Sequence, residues 1–201
     1  LTENRREKIK NIFIDNGMIV KAAILRQNKL CSRDIKELIN DGCIRKIKTG
    51  YYSWIKGANE LTDIEIAAGI IPQGVICLFS AAEIYGLTTV NPMSISMEMP
   101  SNILKPVLPD YPPIELYVST EAHFLLGIKT LETENGSVKI YDMERTVCDF
   151  FKFRKKVGID TALEVLKAYM VQRNKNLQIL MEYATKLKIK SIIKPYLEAL
   201  T

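Results

Sequence analysis

Two short stretches carry side chains whose types and spacing suit chemistry on a polyanion. Arg33, Lys36, Glu37 and Asn40 recur at i, i+3, i+4 and i+7, so on a helix they share one face, with Ser32 at its start. Arginine or lysine can address guanine, asparagine adenine, and glutamate the cytosine amino group. A few residues on, Arg45, Lys46 and Lys48 stand just before a Thr49-Gly50 turn, with Tyr51 just after it. Cations at such a turn would mainly contact phosphate. Glu37 and Asn40 also suit a merely solvated surface.

Other chemistries find less support. The carboxylates Asp110, Glu115, Asp142, Glu144 and Asp149 are candidates for a metal-dependent nuclease, but Leu116 and Tyr117 follow Glu115 where a Glu-x-Lys pair would need lysine. Asp142-x-Glu144 is better explained by capping and the helix dipole. Arg145 with Glu144 and Asp149 would then form ion pairs on a helix surface. The single histidine, His123, can supply neither a multi-histidine metal site nor a triad, because no GxSxG elbow accompanies it. Cys31, Cys43, Cys77 and Cys148 lie 12, 34 and 71 residues apart, which matches no zinc ligand spacing. There is no glycine-rich phosphate loop. Neither enzyme activity nor a cofactor or metal is expected.

The charge distribution favours the first stretch. The 201 residues carry 28 Lys+Arg and 23 Asp+Glu, a net of +5. Residues 1–60 hold 13 of the cations and 7 of the acids, so the whole positive excess lies there and the remainder is near neutral. A basic end on a near-neutral body suits a nucleic-acid partner, through phosphate neutralisation and counterion release. Apolar residues make up 47% of the chain, an ordinary globular composition, and no apolar run is long enough to span a membrane. The charged first residues lead into no signal-peptide core, and reduced cysteines in a cytoplasmic protein are expected.

The elements that must position these residues follow from local pattern. Thr2 caps a first helix carrying Ile9, Ile12 and Phe13, which Asn16-Gly17 ends. Met18 to Val20 is extended. Lys21 to Gln27 is a second helix with Ala22, Ala23 and Leu25 inward, and Asn28-Lys29 is the turn. Ser32 caps a third helix over about Arg33 to Asp41, with Ile35, Leu38 and Ile39 as its buried stripe. Ile44 and Ile47, then Tyr52 and Trp54, form a β-hairpin. This order is that of a winged helix-turn-helix, whose third helix enters the major groove and whose hairpin lies on the backbone or in the minor groove. Gly57-Ala58-Asn59-Glu60 reads as a linker, giving domains 1–60 and 61–201. In the second, Thr62 caps a helix to Ile71, Val75 to Phe79 is a strand, and Ser80 caps a helix ending at Gly86. Ser94 to Met99, Ile114 to Val118 and Ser137 to Tyr141 are strands, and Asn102 to Pro113 is a proline-rich loop. Helices are expected over 142–154, 160–172, 175–187 and 189–200, with Asp160 and Asn174 as caps. The whole chain is thus expected to be α+β: a winged helix-turn-helix, then a small sheet with a helical tail.

Three segments point to a family. They are Gly42-x-Ile44-x-Lys46-x-x-x-Gly50-x-Tyr52, then Val75-x-x-Leu78-x-Ser80-Ala81-Ala82-x-x-x-Gly86-Leu87-Thr88, and Val138-x-Ile140-Tyr141-x-x-Glu144-Arg145-Thr146-Val147-x-Asp149-Phe150-Phe151. Through most of its length the chain resembles the antitoxin of AbiE-type abortive-infection systems, the bacterial type IV toxin–antitoxin class. Cys148 stands where a small residue such as alanine is expected. The resemblance implies an N-terminal domain that binds inverted repeats in its own promoter and represses the operon. It implies a second domain that helps to counteract a nucleotidyltransferase-like toxin without forming a stable complex with it. The free protein would be a monomer that binds double-stranded DNA cooperatively. Glu144, Arg145 and Asp149 are then candidates for antitoxin activity. The competing readings are a winged-helix transcription factor that senses a ligand, and a metal-dependent nuclease.

Overall fold

A computed structural model describes residues 1–57 and 60–200, so Ala58 and Asn59 of the expected linker lie outside the described residues. Among the described residues the chain is a mixed α and β fold of eleven helices and two small sheets. It divides into two compact units. The first comprises 1–72 with the short segments 106–113 and 132–138; the second comprises the remainder.

The first unit runs α1 (Glu3–Asp15), β1 (Ile19–Lys21), α2 (Ala22–Gln27), α3 (Ser32–Asn40), β2 (Ile44–Lys48), β3 (Tyr51–Trp54) and α4 (Asp63–Ile70). β3 lies between β1 and β2 and is antiparallel to both, pairing Ile19 with Ser53 and Ile44 with Trp54. The β2–β3 register slips by one residue between Lys46 and Lys48, a bulge next to the turn. Ile9, Phe13, Val20, Leu25, Leu38 and Trp54 fill the core, with the Phe13 and Trp54 rings 5.7 Å apart. Three local expectations change. The cap of α3 is Cys31, not Ser32, because the Asp34 carboxylate accepts from the Cys31 amide at 2.9 Å and completes a reciprocal box. Ile39 is 38% exposed, since the inner face of this short helix is set by Ile35 and Leu38. Ala23 is exposed and Leu25 takes the buried place on α2.

The expected division at 60/61 assigns α4 to the second domain, whereas in the structure α4 belongs to the first unit. The cause is packing. Gly69 sits so close to β1 that a Cβ there would lie 2.8 Å from Ile19 Cβ and Cδ1. Thr62 and Glu65 form a capping box at the start of α4, and Asn135 donates to Glu65 from its backbone at 3.2 Å and its amide at 3.2 and 3.3 Å. Burial works to raise the Glu65 carboxyl, but hydrogen bonds from Thr133, Thr62 and Asn135 outweigh it and hold the group below its ordinary value.

The second unit is built on β4 (Val75–Ile76), α5 (Leu78–Ile84), β5 (Ile95–Pro100), β6 (Ile114–Ser119), α6 (Glu121–Phe124), β7 (Ile128–Thr133), β8 (Gly136–Tyr141), α7 (Met143–Lys152), α8 (Arg154–Val157), α9 (Ile159–Met170), α10 (Leu177–Lys186) and α11 (Lys190–Glu198). The tip of β7 and β8 counts with the first unit. The sheet order is β6-β5-β4-β8-β7, with β5 and β6 parallel, β4 and β8 parallel, and β4 and β5 antiparallel. The expected strand Val75 to Phe79 is cut to two residues because the helix starts at Leu78, with Cys77 as N-cap. Ser80 is therefore not a cap. It is buried inside α5, where its Oγ accepts from the Ser96 amide at 2.9 Å and ties helix to sheet. α6 and β7 were not among the expected elements. The α9 cap is Gly158 rather than Asp160, and Asn176 rather than Asn174 caps α10 through its side chain.

α7 is the axis of this unit. Every residue from Met143 to Phe151 is buried, with α5, α9, α10 and α11 packed around it. A helix enclosed on all sides must bury its polar residues too.

Candidate functional site

On α3, Ser32, Arg33, Lys36 and Asn40 are exposed on one side, as their spacing requires, while Glu37 is half-buried with its carboxylate accepting from the Leu1 amino group. The acids next to the cations are also engaged. Asp34 pairs with Arg5 at 3.0 Å, and Asp41 pairs with Arg6. The backbone bond from Cys31, with Arg5 nearby, keeps the Asp34 carboxyl below its ordinary value, so it stays ionised and committed to the helix start. Among the described residues no carboxylate lies within ion-pair distance of Arg33 or Lys36. Arg5 and Arg6 of α1 thus pair the acids at the two ends of α3, Asp34 and Asp41, while Arg33 and Lys36 stay unpaired among the described residues.

The hairpin is less uniform than its sequence suggests. Arg45 and Lys46 are exposed and, among the described residues, form no ion pair. Lys48 is half-buried: its ammonium donates to the Val107 carbonyl and stands 4.4 Å from the centre of the half-buried Tyr51 ring. Lys21 approaches the same ring at 5.6 Å, a cation the sequence reading did not single out. Burial pushes the Lys48 ammonium below its ordinary value, and Lys21 pushes the same way.

Glu144, Arg145 and Asp149 lie elsewhere, in the second unit, and form no surface cluster. Arg145 and Asp149 are wholly buried, and Glu144 is 6% exposed. Glu144 does not pair with Arg145. It accepts from the Tyr169 hydroxyl at 3.0 Å and the Asn176 amide at 2.9 Å. The Arg145 guanidinium reaches Asp149 and Glu98, each at 2.9 Å, and donates to the carbonyls of Leu126, at 3.0 Å, and His123. Its other face lies 4.1 Å from the centre of the Tyr141 ring. Lys152 completes the group at 3.2 Å from Glu98. His123 thus contributes its backbone to this cluster.

Glu98, Lys152 and Tyr141 were missed as members of this cluster. No local signal marked Glu98: Ser96 and Glu98 alternate with Ile95, Met97 and Met99, the pattern of a solvated strand face, and only the structure shows both faces of the strand buried there. Burial pushes Asp149 up to about 6; Arg145 opposes the rise and Glu98 adds to it. The Oδ2 atom of Asp149 is buried without a hydrogen-bond partner. Burial likewise raises the Cys77 and Cys148 thiols, which leaves them poor nucleophiles.

The remaining candidate carboxylates are dispersed. Asp110 is exposed, Glu115 is held by Lys156 at 2.5 Å, and Asp142 caps α7 by accepting from the Arg145 amide at 2.8 Å and the Tyr183 hydroxyl at 3.0 Å. Among the described residues no three His, Cys, Asp or Glu side chains are grouped to hold a metal ion, and no helix is long and apolar enough to cross a membrane. No protein-family model matches the chain, and no curated protein matches it.

Proposed function

We propose that the chain is a DNA-binding autorepressor and type IV antitoxin, with a winged helix-turn-helix formed by α1 to β3. The observation that carries the DNA half is that Asp34 and Asp41, at the two ends of α3, pair with Arg5 and Arg6 of α1 while Arg33, Lys36, Arg45 and Lys46 stay exposed and unpaired among the described residues. The order α1-β1-α2-α3-β2-β3 supports it, because it would offer α3 to a major groove and the β2–β3 turn to the flanking backbone. Arg33, Lys36 and Asn40 are the base-reading candidates, and Arg45 and Lys46 the phosphate-binding pair. Glu37 is half-buried and has the weakest case for reading a base.

The antitoxin half rests on the three sequence segments alone. Many residues of the second and third segments lie in the core of the second unit, among them Ser80, Ala81, Ala82, Arg145 and Asp149. We therefore read Arg145 and Asp149 as scaffold and not as a surface that meets a toxin. Electrophoretic mobility shifts on the chain's own promoter test the DNA half. Arg33→Ala or Lys36→Ala is expected to cost about 1–3 kcal/mol of discrimination if the residue reads a base. Unaltered discrimination in both would remove α3 as the reading element.

A further inference from the structure

The segment Pro106–Pro113, counted with the first unit, forms a strap beside the β2–β3 hairpin. It is fixed at Pro109 and Pro112, which are buried, and by the Tyr111 hydroxyl, which donates to Asp63 Oδ2 at 2.8 Å. Between these anchors and the hairpin, the Val107 carbonyl takes the Lys48 ammonium while the Val107 side chain is 83% exposed. Little apolar packing therefore holds that end of the strap, and a polar contact to Lys48 does. The Val107 carbonyl takes one of the three ammonium hydrogens and the Tyr51 ring covers another side of the ammonium, both positions that a phosphate oxygen would otherwise approach. Asp110, exposed on the strap, adds a negative charge that a DNA backbone would avoid.

We propose that this strap is a latch that withholds Lys48 from phosphate, so that releasing it adds one cation to the DNA-binding surface. This rests on the DNA-binding reading above. With the latch closed, the hairpin offers Arg45 and Lys46; with it open, it offers Lys48 as well.

Two measurements on the full chain test it. In competitive acetic anhydride labelling across a range of pH, which separates titration from accessibility, followed by peptide mapping, the neutral Lys48 amine should acylate several-fold more slowly than that of Lys46, against the faster rate its lowered ammonium alone would give. Tyr111→Phe and Tyr111→Ala, each checked for folding by circular dichroism, should bring Lys48 close to the Lys46 rate. With mixed-sequence duplex DNA, both variants should steepen the dependence of log affinity on log salt by about 0.9, the increment for one phosphate. Lys48→Ala in the Tyr111→Phe background should remove that increment. The latch is overturned if Lys48 acylates as fast as Lys46 in the parent chain, or if the Tyr111 variants change neither readout. A parent chain that binds no duplex at low salt would sink the DNA reading, while the acylation result would still decide the latch.

Discussion

The Arg145 guanidinium has no route to solvent, so its charge depends on what surrounds it. Glu98 and Asp149 supply counter-charge, the carbonyls of His123 and Leu126 take the two Nη1 hydrogens, and the Tyr141 ring covers one face. Arg145→Ala would leave the Asp149 carboxyl buried without its ion-pair partner and Glu98 with Lys152 alone. The expected loss is about 3–5 kcal/mol in urea unfolding, well beyond the 0–1 kcal/mol of an exposed pair. Asp149 gives a prediction of opposite character. Its folded value of about 6 exceeds the ordinary 3.8, so the folded state binds the proton more tightly than the unfolded one. Its stabilising contribution is complete below about 3.8 and is lost as pH rises through about 6. Asp149→Asn, which imitates the neutral acid, should gain most over the parent at neutral pH. The difference in denaturation midpoint should shrink as pH falls through about 6. A difference that stays constant with pH would show that Asp149 is ionised throughout.

At the scale of elements, Gly69 shows how one missing side chain sets an interface. Its Cα faces Ile19 with no room for a methyl group, which brings α4 close against β1. Gly69→Ala should improve helix propensity by about 1 kcal/mol but force β1 and α4 apart, for a net loss of about 1–3 kcal/mol by thermal melting. A stabilised variant would mean that Ile19 can move aside. The same contact explains what was legible in the sequence. α1 to β3 could be read closely, because caps, turns and apolar spacing are local signals. The Thr62 cap was legible for the same reason. That α4 joins the first unit was not, because it depends on a glycine meeting Ile19, fifty residues away in the chain. The burial of Arg145 was hidden in the same way. Helix-surface ion pairs are the natural reading of Glu144, Arg145 and Asp149 until four further helices are seen to enclose α7. Ser80 looked like a cap because serine commonly is one, and only the backbone of β5 reveals its actual bond.

For the whole molecule, the proposal divides labour between an exposed cationic face and an antitoxin activity that does not require DNA. Arg33→Ala, Lys36→Ala, Arg45→Ala and Lys46→Ala combined should abolish repression of a promoter reporter. The full chain carrying these changes should still rescue growth of cells expressing the toxin that this proposal requires, one of nucleotidyltransferase type. Loss of rescue by a folded variant would tie antitoxin activity to the DNA-binding face and end that division. The central claim, that the exposed cations of α3 and the hairpin bind phosphate, is tested most directly by the salt dependence of DNA affinity. Arg45→Ala with Lys46→Ala should weaken binding to all duplexes alike and flatten the slope of log affinity against log salt by about two units. A double variant that binds with the parent's affinity and slope would contradict the account.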